Sequence, residues 1–185
     1  MSDLKQAIKQ NYLKCAKEPS YFINQFCTIQ HPQRGKIKFK LYPFQYDVLK
    51  EYQANDYNVI LKSRQLGIST LSAAYSLWMM LFQNDKNILV IATTKDTAKN
   101  LITKVRVMYE ALPAWLKTAI VENNKLSLVF KNGSQIKAIA SNESAGRSEA
   151  LSLLILDEAA FIEKIDVIWT AAQQTLATGG RCLAI

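Results

Sequence analysis

The sequence contains few of the side chains that usually bind zinc, with a single histidine and three cysteines in 185 residues. The cysteines are widely spaced, at Cys15, Cys27 and Cys182, and no C-x-x-C pair occurs. A structural zinc site requires about four such ligands, and a disulfide framework requires an even number of cysteines. The sequence therefore argues against both, and it favours a reducing compartment, the cytoplasm.

Long apolar runs are also missing. The longest, residues 77–82, is far shorter than the ~20 residues that span a bilayer. The N-terminus has no apolar segment of the kind found in secretory signals. Hydrophobic residues make up 49% of the chain and charged residues 21%, which is typical of a globular α/β protein of one domain.

Acidic residues are the scarcer charge. Aspartate and glutamate number 15 against 23 lysines and arginines, which gives a formal net charge of +8. The sequence pI is about 9.4. Such a balance favours an anionic partner, and nucleic acid is the first candidate.

The main functional signal lies in residues 58–70, Asn-Val-Ile-Leu-Lys-Ser-Arg-Gln-Leu-Gly-Ile-Ser-Thr. Residues 59–61 predict a short buried strand, and the apolar run after Gly67 predicts a helix. A strand that leads through a tight turn into a helix directs backbone N–H groups at a phosphate, and the helix dipole strengthens the attraction. This stretch therefore predicts a phosphate-binding loop.

The loop departs from the usual pattern G-x-x-x-x-G-K-[ST] at two positions when the two are aligned on Gly67 and Ser69. Lys62 stands where the first glycine is expected, and Ile68 stands where the lysine is expected. The usual lysine brings positive charge to the β- and γ-phosphates. We expect Lys62 and Arg64, both within the loop, to supply that charge from another direction.

A second signal is the apolar run of residues 151–156, which ends in Asp157 and Glu158. A continuous apolar run predicts a central parallel strand that is covered on both faces. Carboxylates at its carboxyl end lie where ligands bind in open α/β sheets. Asp157 is then expected to hold magnesium together with the Ser69 hydroxyl, and Glu158 to orient or deprotonate the attacking water. The structural alternative is a buried strand whose acidic end simply faces solvent.

Upstream of the loop, Pro43 marks the start of a helix that contains Phe44 and Gln45. An aromatic ring can stack on adenine, and a glutamine amide can both donate to and accept from its edge. The pair therefore predicts adenine recognition; the alternative is a core aromatic beside a surface glutamine. Before them, residues 36–41 alternate lysine with apolar residues and predict an edge strand whose basic face is more often solvated than DNA-binding.

The remaining pattern predicts alternating strands and helices. A strand at residues 88–92 leads to Thr93 and Thr94 and then to a helix over residues 95–112 with basic residues on its surface, namely Lys95, Lys99, Lys104 and Arg106. Residues 125–130 and 135–140 predict a β-hairpin. A helix over residues 166–176 and a strand over residues 181–185 follow. We expect an α/β fold with a mainly parallel sheet and helices on both faces, truncated in its last strand.

These motifs together resemble the N-terminal ATPase domain of the large terminase subunit of tailed bacteriophages, the DNA-packaging motor. The resemblance runs over residues 21–185, and its more specific parts are Ser-Arg-Gln-Leu-Gly at residues 63–67 and Asp-Glu-Ala-Ala-Phe-Ile at residues 157–162. Supporting parts are Tyr-Phe-Ile at 21–23, Ile-Gln-His-Pro at 29–32, Leu-Tyr-Pro-Phe-Gln at 41–45, Asn-Gly-Ser at 132–134 and Gly-Arg at 146–147. The fold that this resemblance implies is an ASCE-type P-loop NTPase.

The resemblance also implies residue roles. It places Phe44 and Gln45 at adenine and assigns the phosphates to Lys62, Ser63, Arg64, Gln65, Leu66, Gly67, Ile68, Ser69 and Thr70. Magnesium falls to Ser69 and Asp157, and the catalytic carboxylate is Glu158. Arg64 resembles an arginine that reaches the γ-phosphate within one subunit, and Arg147 resembles an arginine finger that acts on a neighbouring subunit. Some family members carry the loop lysine at the position of Lys62, which implies that Lys62 replaces the usual one.

The implied activity is Mg²⁺-dependent ATP hydrolysis that drives double-stranded DNA into a procapsid, in the host cytoplasm. The implied partners are DNA, the portal protein, the small terminase subunit and further copies of the chain in a ring. We expect residues 1–40 to form an N-terminal extension and residues 41–185 an incomplete ATPase domain without the nuclease domain, so that DNA cleavage is absent and ATP turnover weak. The alternatives are an ATP-dependent helicase or translocase and a nucleotide-binding assembly module without turnover.

Overall fold

The computed structural model describes residues 2–141 and 150–185, and the side chains from residue 4 onward. Its helices are α1 Ser2–Lys17, α2 Pro19–Phe26, α3 Pro43–Ala54, α4 Ile68–Phe82, α5 Lys95–Glu110 and α6 Ile165–Leu176. Its strands are β1 Thr28–His31, β2 Gly35–Lys38, β3 Tyr57–Val59, β4 Asn87–Ala92, β5 Ile120–Asn123, β6 Ser127–Phe130, β7 Gln135–Ala140, β8 Leu153–Asp157 and β9 Arg181–Ala184.

Seven strands form one sheet in the order β3-β9-β8-β4-β7-β6-β5. Neighbours from β3 to β7 pair in parallel, and the pairs β7–β6 and β6–β5 are antiparallel. The strand that carries Asp157 therefore lies in the interior, between β9 and β4. Its register places Asp157 opposite Ala92, so the carboxyl ends of β8 and β4 meet at one edge. The predicted mainly parallel sheet is confirmed.

Helices cover both faces of the sheet, as the sequence predicts. Helices α4 and α5 pack together on one face, and α6 packs on the other around Ile168, Ala172 and Leu176. Helix α4 is buried around nearly its whole circumference because α1 and α2 cover its outer side. One of the contacts that fix this layer is the Trp78 indole N–H, which donates to the Cys15 carbonyl at 2.8 Å.

Two predicted strands differ from the structure. The buried strand expected at residues 59–61 is wrong, because β3 ends at Val59, whose side chain is 87% exposed, and Leu61 is fully exposed. Strand β3 is an edge strand whose only partner is β9, so its apolar side chains reach solvent. The strand expected at residues 36–41 ends earlier, because Phe39 is buried and the chain turns toward α3. It pairs with β1 in a separate hairpin and is not part of the large sheet.

The hairpin of β6 and β7 is confirmed, and its turn has a role that the sequence does not reveal. The Asn132 amide donates to the carbonyls of Met80 at 2.8 Å and Gln83 at 3.1 Å. The Ser134 hydroxyl also donates to the Gln83 carbonyl, at 2.9 Å. These bonds satisfy carbonyls that a helix leaves without partners at its end, so the turn caps α4.

No helix in the described part of the chain has the length and apolar character required to span a membrane. Cys15, Phe22 and Cys27, from the predicted N-terminal extension, share one apolar core with α4 and the sheet. The division of the chain at residue 40 stays a prediction.

Candidate nucleotide site

The predicted loop and the predicted acidic strand meet at one point. The Ser69 hydroxyl donates to a carboxylate oxygen of Asp157 at 2.8 Å, across 88 residues of sequence. Ser69 lies in the first turn of α4, and Asp157 is the last residue of β8. A hydroxyl and a carboxylate at this separation can share a small divalent cation.

The loop between β3 and α4 has the curvature of a phosphate-binding turn. Gln65 and Gly67 both have left-handed backbones, with φ of 66° and 73°. Gly67 is the N-cap of α4 and has no side chain to bond the first helical N–H groups. Those N–H groups carry the positive end of the helix dipole, which is the arrangement that attracts phosphate. Ser63 to Leu66 are exposed, so an incoming anion can reach the loop.

Ile68 occupies the position of the usual lysine and has no functional contact with solvent. Its side chain is 2% exposed and packs in the core beneath α4. Lys62, at the start of the loop, is half-buried, and Arg64 is exposed. Any positive charge that the loop itself brings to a phosphate therefore comes from Lys62 and Arg64.

Gln45 is bonded to the loop and is not free at the surface. It is 1% exposed, and its amide nitrogen donates to the Leu66 carbonyl at 3.0 Å. Its carbonyl oxygen accepts from the Tyr42 N–H at 3.1 Å, so both ends of the amide have partners. The amide nitrogen also lies 3.0 Å from the point where a side chain on Gly67 would begin. Gln45 thus braces the loop from behind, a role that the sequence does not indicate.

Phe44 is partly exposed and stacks in parallel on Tyr42, with ring centroids 5.9 Å apart and an interplanar angle of 6°. The two rings stand at the start of α3, one residue before the glutamine that holds the loop. A flat, partly exposed aromatic pair beside a phosphate-binding loop is a surface on which a base can stack.

Glu158 directly follows Asp157 and is exposed. Its backbone is left-handed, with φ of 57°, a conformation that is uncommon and costly outside glycine. This turn leads the chain off the sheet, and the next residue, Ala159, donates its N–H to the Ile185 carbonyl at 2.9 Å. The Glu158 carboxylate therefore belongs to the same sheet edge as Asp157 and remains accessible to water.

Arg147, the predicted arginine finger, lies outside the described residues. The described chain enters that segment at Ser141, whose N–H donates to the Ala92 carbonyl at 2.8 Å. Thr94, expected at the same edge, caps α5 by accepting from the Thr97 N–H at 3.2 Å.

The structure adds Lys104 to the charged groups around the site. This lysine of α5 is half-buried, and its ammonium lies within electrostatic reach of the Asp157 carboxylate and of Lys62. Burial lowers the pKa of Lys104; Asp157 acts against this shift, and Lys62 adds to it. From sequence, Lys104 is one of several basic residues along a helix, and nothing distinguishes it from the others.

A cleft of about 490 Å³ lies beside the loop. It is bounded by the β1–β2 hairpin, by α5 and by Thr70, and its lining residues are Thr28, Ile29, Gln30, Pro32, Thr70, Asn100, Thr103, Lys104, Val107 and Met108. Because Thr70 directly follows Ser69, the cleft opens next to the predicted phosphate position.

The donor set at Ser69 and Asp157 fits magnesium better than a metal that needs several protein ligands. No group of three or more histidine, cysteine, aspartate or glutamate residues with metal-binding geometry occurs within residues 2–141 and 150–185. Magnesium commonly takes one or two protein oxygens and completes its shell with water and substrate phosphates. A single hydroxyl–carboxylate pair at the mouth of the sheet meets that requirement.

The sequence profile of the family described as terminase large subunit, T4likevirus-type, N-terminal, matches residues 59–181, well over half of the chain. The chain belongs to this family. The recognition made from the motifs at residues 63–67 and 157–162 is confirmed.

Solved terminase structures share the fold. The large terminase of bacteriophage HK97 superposes with a TM-score of 0.72 at 21% identity, over 91% of this chain and 36% of that chain. The ATPase domain of the Thermus phage P74-26 large terminase gives 0.59 at 22% identity, over 80% of this chain and 64% of that chain. The large terminase of a thermophilic bacteriophage in complex with ATP-gamma-S gives 0.58 at 18% identity, over 79% and 37%.

This terminase chain thus has the ASCE P-loop fold of a large-terminase ATPase domain, as the sequence predicts. It spans less than two thirds of the length of each of these three proteins.

Proposed function

We propose that this chain is the ATPase unit of a phage DNA-packaging motor, which hydrolyses ATP to move double-stranded DNA into a procapsid. The bond between Ser69 and Asp157 carries the proposal, because it joins the phosphate loop to the acidic strand end at the edge where P-loop ATPases bind nucleotide. Family membership supplies the packaging role, with the portal protein, the small terminase subunit and further copies of the chain as partners in the host cytoplasm.

The proposed nucleotide position follows from the described groups. The triphosphate lies over the N-terminus of α4, within the loop that Gln65 and Gly67 curve, and the base lies toward the Phe44 ring. Magnesium, held by Ser69 and Asp157, would neutralise charge on the β- and γ-phosphates. Lys62 and Arg64 bring further positive charge from the loop.

Glu158 is the group proposed to act on water. Its carboxylate stands beside Asp157 but is exposed, so it can accept a proton from a water molecule or hold it in line with the γ-phosphate. The left-handed backbone at Glu158 fixes this position next to the metal ligand without placing both carboxylates on the same atom of the substrate.

Basic surface supports the DNA part of the proposal. The chain carries a net charge of +8, which favours contact with phosphates without reading of sequence. Binding of this kind weakens steeply as the salt concentration rises, because counterions are released from DNA.

The test separates binding from turnover. Affinity for ATP is measured by calorimetry with Mg²⁺ and with EDTA, and phosphate release is measured with and without linear double-stranded DNA. We expect Mg²⁺-dependent binding in the wild type and in Glu158→Gln, with turnover lost only in Glu158→Gln. Glu163→Gln, an exposed carboxylate five residues further on, is the matched control and should turn over like the wild type.

Failure takes distinct forms. Absence of ATP binding in the wild type would overturn the nucleotide site itself. Binding with equal phosphate release in the wild type and in Glu158→Gln would remove Glu158 from its role and favour a nucleotide-binding assembly module without turnover.

A further inference from the structure

The loop lacks its usual cation, and one lysine outside the loop is placed to contribute. Ile68 is buried in the core, so the position that normally carries the lysine brings no charge to the phosphates. Helix α5 packs along α4 on the same face of the sheet, which brings the side of α5 that carries Lys104 next to the first turn of α4.

Five residues of α5 line the cleft beside Thr70, and they lie on one side of the helix: Asn100, Thr103, Lys104, Val107 and Met108. Their spacing of three and four residues is that of a single helical face. The apolar members and the Lys104 stem form the wall, which leaves the ammonium at the end nearest Ser69 and Asp157.

The Lys104 ammonium has no direct partner in the described part of the chain. Within residues 2–141 and 150–185 it forms no ion pair or hydrogen bond, although it is half-buried. Asp157 attracts it and Lys62 repels it. Asp157 is 5% exposed and already accepts the Ser69 hydroxyl.

Two lysines therefore face one another across a single buried carboxylate. Partly desolvated charges without a direct partner are unfavourable, and like charges that converge raise the cost further. A polyphosphate between Lys62 and Lys104 would remove both penalties, because its oxygens can bond the two ammonium groups together.

We propose that Lys104 is a phosphate-binding residue of this site, which contacts the β- or γ-phosphate of the nucleotide from α5 and, with Lys62, replaces the cation missing at Ile68. This inference rests on the proposed function, since it requires ATP at the loop. It assigns to α5 a direct part in nucleotide binding that the loop pattern does not predict.

The first test compares affinities for ATP and AMP. Lys104→Met keeps an unbranched apolar stem and removes the charge, Lys104→Arg keeps the charge, and Lys131→Met removes an exposed lysine at the hairpin turn as the matched control. Loss of one charge-assisted bond weakens binding by about tenfold to a hundredfold. We expect that loss for ATP in Lys104→Met, no change for AMP, and near wild-type values in Lys104→Arg and Lys131→Met.

The second test needs no variant and so does not depend on whether Lys104→Met folds. Amine acylation of the wild type is followed by mass spectrometry with ATP, with AMP, with inorganic triphosphate and without ligand. We expect ATP and triphosphate to protect Lys104 and AMP to leave it reactive, while Lys131 reacts equally in all four samples.

Several results would overturn the proposal. These are an unchanged ATP affinity in a folded Lys104→Met, an equal loss of ATP and AMP affinity, or unprotected Lys104 in the presence of bound ATP. Absence of ATP binding in the wild type would instead overturn the proposed function, and the role of Lys104 with it.

Discussion

The Ser69 hydroxyl and the Asp157 carboxylate are joined by a hydrogen bond of 2.8 Å, although 88 residues separate them in the chain. The bond crosses from the first turn of α4 to the end of β8, passing over β9, which lies between β8 and the strand that leads into the loop. The two halves of the predicted site are therefore brought together by the sheet order.

The first prediction concerns this pair. Asp157→Asn keeps the size of the side chain and removes its charge, and Ser69→Ala removes the hydroxyl. In both variants we expect the dependence of ATP affinity on Mg²⁺ to fall, because each removes one proposed ligand, with the larger loss for Asp157→Asn. Calorimetric titration with ATP at several Mg²⁺ concentrations measures the effect.

Ser63→Ala is the control for this pair, since Ser63 is an exposed serine of the same loop. It should keep the Mg²⁺ dependence of the wild type. Equal loss in Ser63→Ala and Ser69→Ala would mean that the loop as a whole, and not the Ser69–Asp157 pair, is responsible.

The second prediction separates Lys62 from Ile68. Lys62→Ala should abolish ATP turnover with little change in stability, because Lys62 lies at the open loop. Ile68→Ala should lower the free energy of unfolding by about 2–5 kcal/mol, because it leaves a cavity in the core, and it should keep turnover in the folded fraction. Urea unfolding and phosphate release distinguish the two. Full turnover in Lys62→Ala would remove that lysine from the site.

The third prediction tests whether Gln45 reads adenine or holds the loop. Gln45→Ala leaves the Tyr42 N–H and the Leu66 carbonyl without their partner, which costs about 1–3 kcal/mol. If Gln45 acts through the loop, affinities for ATP and GTP should fall by the same factor. If it reads the base, ATP affinity should fall and GTP affinity should stay.

Gln53→Ala is the matched control, because Gln53 has an exposed side chain on the same helix. It should change neither nucleotide affinity nor the urea midpoint. A further variant, Gln45→Glu, can still accept from the Tyr42 N–H but cannot donate to the Leu66 carbonyl, so it isolates the bond that holds the loop.

The fourth prediction concerns the cysteines, all three of which are buried. Burial raises the pKa of Cys15 to about 11 and that of Cys182 to about 12, and it also raises the pKa of Cys27. In the native protein at pH 8 we therefore expect almost no reaction with a thiol reagent, and reaction of three thiols after denaturation. Rapid labelling of the native protein would contradict the burial of these side chains.

The same shifts make stability depend on pH. The raised native pKa means that the unfolded chain loses its thiol protons first, from about pH 9, while the native state keeps them. The free energy of unfolding should therefore be highest below pH 9 and fall as pH rises toward 11. Urea unfolding at pH 8 and pH 10 measures the slope, and Cys15→Ala should reduce it.

The sequence determined the elements and most of the site. The apolar run before Asp157 could only be a covered strand, and the Gly67 turn before an apolar helix predicted a phosphate loop, because local spacing and turn chemistry suffice for both. It failed at residues 59–61, because an apolar triplet does not reveal whether its strand lies inside a sheet or at its edge. It also could not reveal the partners of Gln45, since an amide bond to Leu66 depends on how α3 packs behind the loop.

Tertiary structure alone decided which charged groups meet. Ser69 and Asp157 are adjacent because β8 and β3 lie in one sheet in a particular order, a relation fixed by long-range pairing and not by local spacing. Lys104 was one of several helical lysines in the sequence; the packing of α5 on α4 placed it near Asp157 and left the other charges of that helix to different surroundings. Side-chain charge is written in the sequence, but its neighbours are set by the packing of elements that are distant along the chain.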